Sequence, residues 1–511
     1  MRSQIDIAVK RNDLDLTDIL SVENMRNSDA HTIEAGTPGR ELMMRAAKGI
    51  YENAGLKAPV AIVCGSGNNA GDGYALAVLL KRDGISCSVF VLKDKFSDDG
   101  RYYYDLCLQE GVDVRSWSDD TDLSGYASVV DCILGTGFKG YVRDDIKAVI
   151  EKINDSGAYI VAADINSGLN GDTGMTECAV KSDLTVSIGG FKPGHFLNMA
   201  KDHIKEKVNV DIGIKPVDRP YHLVEAGDIK DVFAERNNYS NKGTYGYTAL
   251  IGGSEMYSGA IRLAYMANAA MRAGAGVVKV AVPESIRTEV SSHILESTLF
   301  PMPCNDGLMM FDGHKLETLI ANVRSVAFGM GIGTGEDTRS ILEYLINHYQ
   351  KTLIIDADGL TELATFGRDI FKHSSAKIVL TPHIKEFSRL TGLTIDEILA
   401  NPIGTAKRYA GETGCVLLLK GPSTVITDGD EVFITDRGCS GMATAGSGDV
   451  LSGILSAVTA YEPDLLKAVC AAAYINGRAG ELAQARHGSI SMIASDTVSM
   501  LEAAIGEIVN S

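Results

Sequence analysis

The chain has 511 residues, more than one hydrophobic core ordinarily serves, so two or more domains are expected. With 45% hydrophobic and 22% charged residues, it has the composition of a globular protein with a large core. A balance of 48 basic against 66 acidic residues gives a net charge of −18, which argues against general nucleic-acid or anionic-membrane binding but leaves room for a local basic pocket.

Short apolar runs alternate with helical patterns from about residue 60 onward, the signature of parallel sheets covered on both faces. In the first half the spacing predicts strands at 60–64, 87–92, 129–134, 159–164, 184–188 and 207–212, with helical patterns at 73–82 and 143–153 between them. IKPVDRPYHLVEAGDI then breaks the periodicity with two prolines, which puts a domain junction near 215–225. The alternation restarts with strands at 248–252, 277–282, 325–329, 353–356, 378–381 and 416–420, and helices at 443–460 and 465–485 close the pattern. The expected fold class is α/β, with two domains at 1–218 and 225–511. Neither an internal repeat nor a low-complexity segment is visible.

The nine cysteines follow no metal or disulfide spacing, which favours reduced thiols and a cytoplasmic setting. MRSQIDIAVKRNDLDLTDIL has acidic residues where a secretory leader needs an apolar core, and no apolar run reaches the roughly 18 residues of a membrane span.

Three loops of the first half carry chemistry. CGSGNNAGDGYALA (64–77) follows a strand and opens a helix, so its backbone N–H groups are free to face an anion, while its side-chain oxygens suit a cation equally well. Its third glycine falls one residue late for a dinucleotide fingerprint, which disfavours a plain dehydrogenase. VVDCILGTGFKGYVR (129–143) places Asp131 in a strand ahead of a second glycine loop, and VAADINSGLNGDTG (161–174) places Asp164 and Ser167 after a third strand. In a parallel sheet all three emerge at the carboxyl edge and can converge in one crevice. Each aspartate alone reads equally as a turn or cap residue.

These motifs, with ILSVENMRNSDAHTIEAGTPGRELMMRAA before them and FKPGHF…VNVDIGI after, resemble the NAD(P)HX epimerase family over residues 20–215. The resemblance implies a Rossmann-like three-layer αβα domain that interconverts R and S hydrates of reduced nicotinamide dinucleotides. It implies K⁺ on Asn69, Asp131 and Ser167. The dinucleotide would lie against Asn68, Asn69, Ala70, Gly71 and Asp72, and against Gly135, Thr136, Gly137, Phe138, Lys139, Gly140 and Tyr141. Lys139 and Asp164 would be the acid/base pair. By the same resemblance Gly and Pro are expected at 70 and 166, where the chain has Ala70 and Asn166.

In the second half, GMATAGSGDVLSGI (441–454) can wrap an anion with backbone N–H groups at a helix N-terminus, with Asp449 in the first turn to accept a hydroxyl proton. A simple capping role is the alternative. LLLKGPSTVITDGD (417–430) reads as a strand, a turn and a second strand able to hold an adenine nucleotide. TPHIKEF (381–387) follows a buried strand with a histidine and an acid that could share one site, though a lone histidine there reads by default as structural, and DADGL (356–360) reads by default as a turn. With KGTYG, GGSEMYSGA, RAGAG and GMGIGTG they form an ordered set that resembles the NAD(P)HX dehydratase family over about 225–508. That resemblance implies a ribokinase-like αβα fold, ADP or ATP as cofactor, and Mg²⁺ on the phosphates. It implies substrate contacts at Ala260, Gly331, Gly333, His383 and Asp449. Nucleotide contacts fall at Lys420, Gly421, Pro422, Ser423 and Thr424, and at Thr444, Ala445, Gly446, Ser447 and Gly448.

Together the halves imply one repair route: epimerisation of NADHX or NADPHX, then dehydration of the S-hydrate at the expense of ADP. The partners expected are these hydrates and an adenine nucleotide, with no nucleic acid and no membrane, in a homo-oligomer. The rival reading is an ATP-dependent small-molecule kinase fused to a non-catalytic binding domain.

Overall fold

The computed structural model describes residues 16–269, 272–292 and 294–510, so the leader reading of residues 1–15 lies outside the described residues. Period-two burial shapes the first half. Along the strand Val60–Cys64, Val60, Ile62 and Cys64 join one apolar cluster with the helices Gly39–Asn53 and Asn68–Arg82. Ala61 and Val63 face the other cluster, under the helix Asp144–Asn154. A strand buried on both faces suits a parallel sheet, where helices cover both sides.

This sheet has seven strands, all parallel, in the order Asp113–Ser116, Cys87–Val91, Val60–Cys64, Ser128–Cys132, Tyr159–Ala163, Ser182–Ile188, Ile204–Val210. The order reverses between Val60–Cys64 and Ser128–Cys132, whose neighbours in sequence lie on opposite sides. Ligands of open α/β sheets bind at the carboxyl ends of strands flanking such a point.

The second sheet has eleven strands. Seven run parallel, from Val416–Leu419 through Lys377–Leu380, Thr352–Ile355, Ser325–Phe328, Tyr247–Ile251 and Val277–Pro283 to Thr298–Met302. The order reverses between Tyr247–Ile251 and Ser325–Phe328. Antiparallel strands Thr424–Thr427 and Val432–Thr435 extend one edge. The helix Ser447–Tyr461 packs on one face, buried from Val450 to Ala460.

All twelve strands expected from the alternation are present, with ends displaced by at most three residues, and so is the second strand read within 417–430, as Thr424–Thr427. Two of those not expected lie at sheet edges: DVRS (Asp113–Ser116) is mostly exposed, and TLFPM (Thr298–Met302) contains a proline, which edges tolerate.

The junction is more than a linker. Tyr221–Leu223 pairs with Val432–Thr435, and Thr17–Ile19 pairs antiparallel with Tyr221–Leu223. The strand Thr17–Ile19 therefore completes the second sheet, although it precedes the whole first one. Ile19 also bridges to Phe191, and Ile19, Phe191, Phe196 and Leu197 are buried within the second domain's apolar cluster.

Candidate functional site

The three glycine-rich loops of the first half meet at the switch point. A Cβ on Gly65 would stand 2.0 Å from the Ile133 carbonyl oxygen, so that approach requires glycine. One on Gly135 would stand 3.3 Å from the Asn69 Cβ, and one on Gly171 3.7 Å from the Thr136 Cα. Asn68–Asp72 forms the first turn of the helix Asn68–Arg82, with no side-chain cap on Gly67. Its leading amides are therefore open to an anion. Buried Ala70 packs into the adjoining apolar cluster.

Asn69 donates to the Leu134 carbonyl at 3.0 Å, and its buried Oδ1 has no hydrogen-bond partner. Asp131 accepts from the Ser167 hydroxyl at 2.6 Å, the Ser167 amide at 2.8 Å and the Ile133 amide at 3.1 Å. Burial nonetheless pushes its carboxyl up to about 6. A buried carboxylate beside an orphaned amide oxygen and a hydroxyl is a donor set that fits a monovalent cation. Asn166, at the position where proline was expected, is fully buried. Its amide donates to Val180 O, Ser182 Oγ and His203 O, so hydrogen bonds fix this turn in place of a ring.

Asp164 adopts the left-handed region at φ 62° and is salt-bridged to Lys192, whose side chain is only 1% exposed. The Lys192 ammonium also donates to Ile188 O at 2.8 Å. His195 accepts the Lys192 amide on Nδ1 and lies 2.7 Å from the Asp164 carbonyl through Nε2. Nε2 therefore carries the proton and donates. Burial, with the Lys192 charge, pushes this imidazole down to about 3, so it stays neutral. Asp72 is raised well above an ordinary aspartate by burial and then by the carboxylates of Asp164 and Asp29. Burial likewise raises Asp29, with the Asp164 charge adding to it.

Three carboxylates thus share one buried ammonium. Lys139 is exposed in the neighbouring loop, as is Tyr141, and among the described residues no hydrogen bond or ion pair joins Lys139 to Asp164. The sequence reading missed Lys192, His195 and Asp29. FKPGHF was visible as a motif, but a lysine and a histidine flanking Pro-Gly in no way announce that both turn back onto the preceding strand end.

The second constellation forms around Asp356 and Lys420. Their side chains pair at 2.9 Å, and the Ser452 hydroxyl donates to Asp356 at 2.7 Å. Burial opposes the charge on Asp356, but Lys420 outweighs it and holds the carboxyl below the usual range. Burial opposes the charge on Lys420 too, and the carboxylates of Asp356 and Glu386 outweigh it. A Cβ on Gly448 would lie 3.5 Å from both the Asp356 carboxylate and the Lys420 ammonium, so the glycine loop sits directly on this pair. Ser447, Gly448 and Asp449 open the helix after Gly446, at φ 93°; the Ser447 amide donates to Thr444 O at 3.4 Å, and those of Gly448 and Asp449 have no intrahelical acceptor. Burial, then the Asp356 charge, pushes the Asp449 carboxyl up to about 7.

Other expected residues gather here. Lys420 and His383 bridge their strand ends, with the Lys420 amide donating to Pro382 O at 2.9 Å. His383 caps the helix Ile384–Thr391 through Nδ1 and leaves its half-exposed ring edge outward. A Cβ on Gly331 would stand 2.8 Å from the Ala260 Cβ, and the Gly333 amide donates to Asp358 at 2.9 Å. DADGL, a default turn in the sequence reading, therefore contributes both of its aspartates to the site. Lys420, Gly421, Pro422, Thr424, Ser447 and Gly448 line a cleft of about 510 Å³ beside this cluster. Among the described residues no three His, Cys, Asp or Glu side chains gather as a metal cluster, and no helix is long and apolar enough to cross a membrane.

Residues 248–502 match the family model described as NAD(P)H-hydrate dehydratase, and 39–194 match that described as YjeF-related protein N-terminus. The chain is 33% identical over 467 residues to the bifunctional NAD(P)H-hydrate repair enzyme Nnr of Dictyoglomus turgidum, covering 88% of this chain and 89% of that one. It is 32% identical to the Escherichia coli K12 protein of the same name, over 90% of this chain and 88% of that one. Among solved structures, it is similar to the Bacillus subtilis ADP/ATP-dependent NAD(P)H-hydrate dehydratase co-crystallised with ATP/Mg²⁺. The identity is 26% and the TM-score 0.49, over 56% of this chain and 97% of that one.

Proposed function

The chain belongs to the family of bifunctional NAD(P)H-hydrate repair enzymes, and from that premise we propose how its residues divide the work. The first domain epimerises the hydrate and the second dehydrates the S form to NADH or NADPH, in a cytoplasmic enzyme.

In the first domain the glycine loops and the Asn68–Asp72 helix turn hold the dinucleotide. Epimerisation breaks and reforms the C–O bond at the hydrated carbon, which needs a proton donor and an acceptor. Asp164, oriented by Lys192, accepts the proton; Lys139 from the facing loop and the raised carboxyl of Asp72 are the donors in reach of that crevice. K⁺ would be held by Asn69, Asp131 and Ser167, where it supplies charge compensation for a buried carboxylate.

In the second domain Asp449 removes the proton of the substrate hydroxyl. That oxygen attacks the terminal phosphoryl group of ADP, or of ATP, and AMP, or ADP, leaves. The phosphate ester then departs with the C–O electron pair as the ring nitrogen donates its own. Loss of the adjacent C–H proton restores the dihydropyridine. Lys420 and the amides of Gly448 and Asp449 stabilise charge on the phosphates, where Mg²⁺ would add a second positive charge. The observation that carries this reading is Asp449 at the mouth of the anion loop, poised near neutrality against the Asp356–Lys420 pair.

The test is incubation of the hydrate with ADP and, in parallel, ATP. Recovery of reduced-nicotinamide absorbance with stoichiometric phosphate is expected. A stable phosphorylated product without that absorbance would make the second domain a kinase.

A further inference from the structure

The nucleotide cleft has a wall that its own domain does not supply. Among the residues lining its 510 Å³ are Asn198, Lys201 and Asp202, which belong to the first domain. They follow directly on Phe196 and Leu197, the residues buried in the second domain's core, so their position is set by packing and not by a free loop. Asn198 holds the left-handed region at φ 48° and is pinned by its amide on Thr173 O at 2.7 Å.

We propose that the first domain completes the nucleotide site of the second, with Lys201 a nucleotide-binding residue of the dehydration reaction. The proposal rests on the reading of this cleft as the adenine-nucleotide site. Lys201 reaches across the boundary to donate to Gly438 O at 3.0 Å, on the strand-to-loop turn that leads into the anion loop. Its ion partner Asp436 is mostly committed elsewhere, to Lys207 at 2.5 Å and the Ser423 hydroxyl at 2.9 Å, and lies 3.5 Å from Lys201.

The result is a partly desolvated ammonium with donors to spare, facing a cleft. Burial pulls it below the ordinary lysine value, with the Asp436 carboxylate opposing that pull. The same cleft is lined by Asn476, 8% exposed, whose Oδ1 has no hydrogen-bond partner, and by Ser447, whose hydroxyl has none either. Unpartnered polar groups lining one cleft are what a polar ligand would satisfy. Lys420 and Arg437 already have the ion partners Asp356 and Glu481, but Lys201, Lys420 and Arg437 still outnumber Asp202 among the charged residues lining the cleft, which favours an anionic ligand in a chain of net charge −18.

The experiment compares the full chain with Lys201→Met, Lys201→Arg and Lys207→Met, measuring ADP binding by calorimetry and ADP KM and kcat in dehydration. Loss of one charge-assisted contact is expected to weaken ADP by about tenfold in Lys201→Met, with kcat and the hydrate KM little changed. Lys201→Arg is expected to recover most of the affinity. Lys207→Met, which breaks the same inter-domain tether without lining the cleft, is expected to bind ADP as the unmodified chain does. Equal ADP affinity in Lys201→Met and the unmodified chain overturns the proposal. Equal weakening in Lys201→Met and Lys207→Met also overturns it, since a tether alone would then be at work. Absence of ADP and ATP binding to the unmodified chain instead overturns the reading of the cleft itself.

Discussion

Replacing Asp449 by asparagine should sharply slow dehydration and at the same time stabilise the second domain. Burial and the Asp356 charge hold this carboxyl near 7, against an ordinary value of 3.8. The folded state therefore binds its proton more tightly than the unfolded state does. The contribution of Asp449 to stability is greatest below pH 4 and falls as pH rises through the window from 3.8 to 7. A separation of roughly three pH units at about 1.4 kcal/mol each sets an upper limit of about 4 kcal/mol lost at neutral pH. Asp449 keeps some solvent exposure, which roughly halves this to about 2 kcal/mol. An asparagine side chain carries no charge to desolvate, so Asp449→Asn should unfold at higher urea than the unmodified chain at pH 7–8 and at nearly the same urea at pH 4. Dehydration should fall by about 10²- to 10⁴-fold, the usual worth of a positioned base. In the unmodified enzyme kcat/KM for the hydrate should drop about tenfold for each pH unit below 7. A stability gain equal at pH 4 and pH 8, or a dehydration rate left unchanged by the substitution, would refute the account of Asp449 as a carboxylate strained toward its acid form.

Lys192→Met should remove epimerisation while leaving dehydration of pure S-hydrate intact, and should cost about 3–5 kcal/mol by stranding Asp164. Adding Asp164→Asn should restore stability but not activity; dehydration lost in step with epimerisation would count against the assignment. Gly65→Ala forces a methyl into the Ile133 carbonyl and should lower the first domain's melting transition and its epimerisation together, at a cost of about 1–3 kcal/mol. An unchanged rate would show the loop contact to be dispensable. Exchange of K⁺ for Li⁺ should lower epimerisation and the same melting transition, and Asn69→Ala should erase the difference between the two salts; a salt effect persisting in that variant would place the cation elsewhere.

The strand pattern was legible because buried parallel strands are continuous apolar runs, and a run such as VAIVC admits few other fates. Glycine loops following those runs were legible too, since strand ends of one parallel sheet must meet at one edge. What escaped reading was return traffic. Lys192 and His195 lie 28 and 31 residues beyond Asp164 and reach it only because PGH forms a tight turn behind the strand Ser182–Ile188. Asp29 comes from the helix Val22–Glu34, well before the sheet begins. Asp356 and Asp358 looked like turn residues because their partners, Lys420 and Gly333, stand on other strand ends. Thr17–Ile19 carries only three residues of pattern, too short to be assigned to a sheet whose next strand is two hundred residues away.

That short strand has a consequence for how the chain is made. Synthesis from the N-terminus delivers Thr17–Ile19 first, yet Tyr221–Leu223 follows about two hundred residues later and Val432–Thr435 about four hundred. At roughly 5–20 residues per second, the strand waits some tens of seconds for its sheet while the first domain folds beside it. The first domain is thus, in effect, threaded between the beginning and the remainder of the second. A cut in the junction would leave one fragment holding an unpaired strand and the other an open sheet edge.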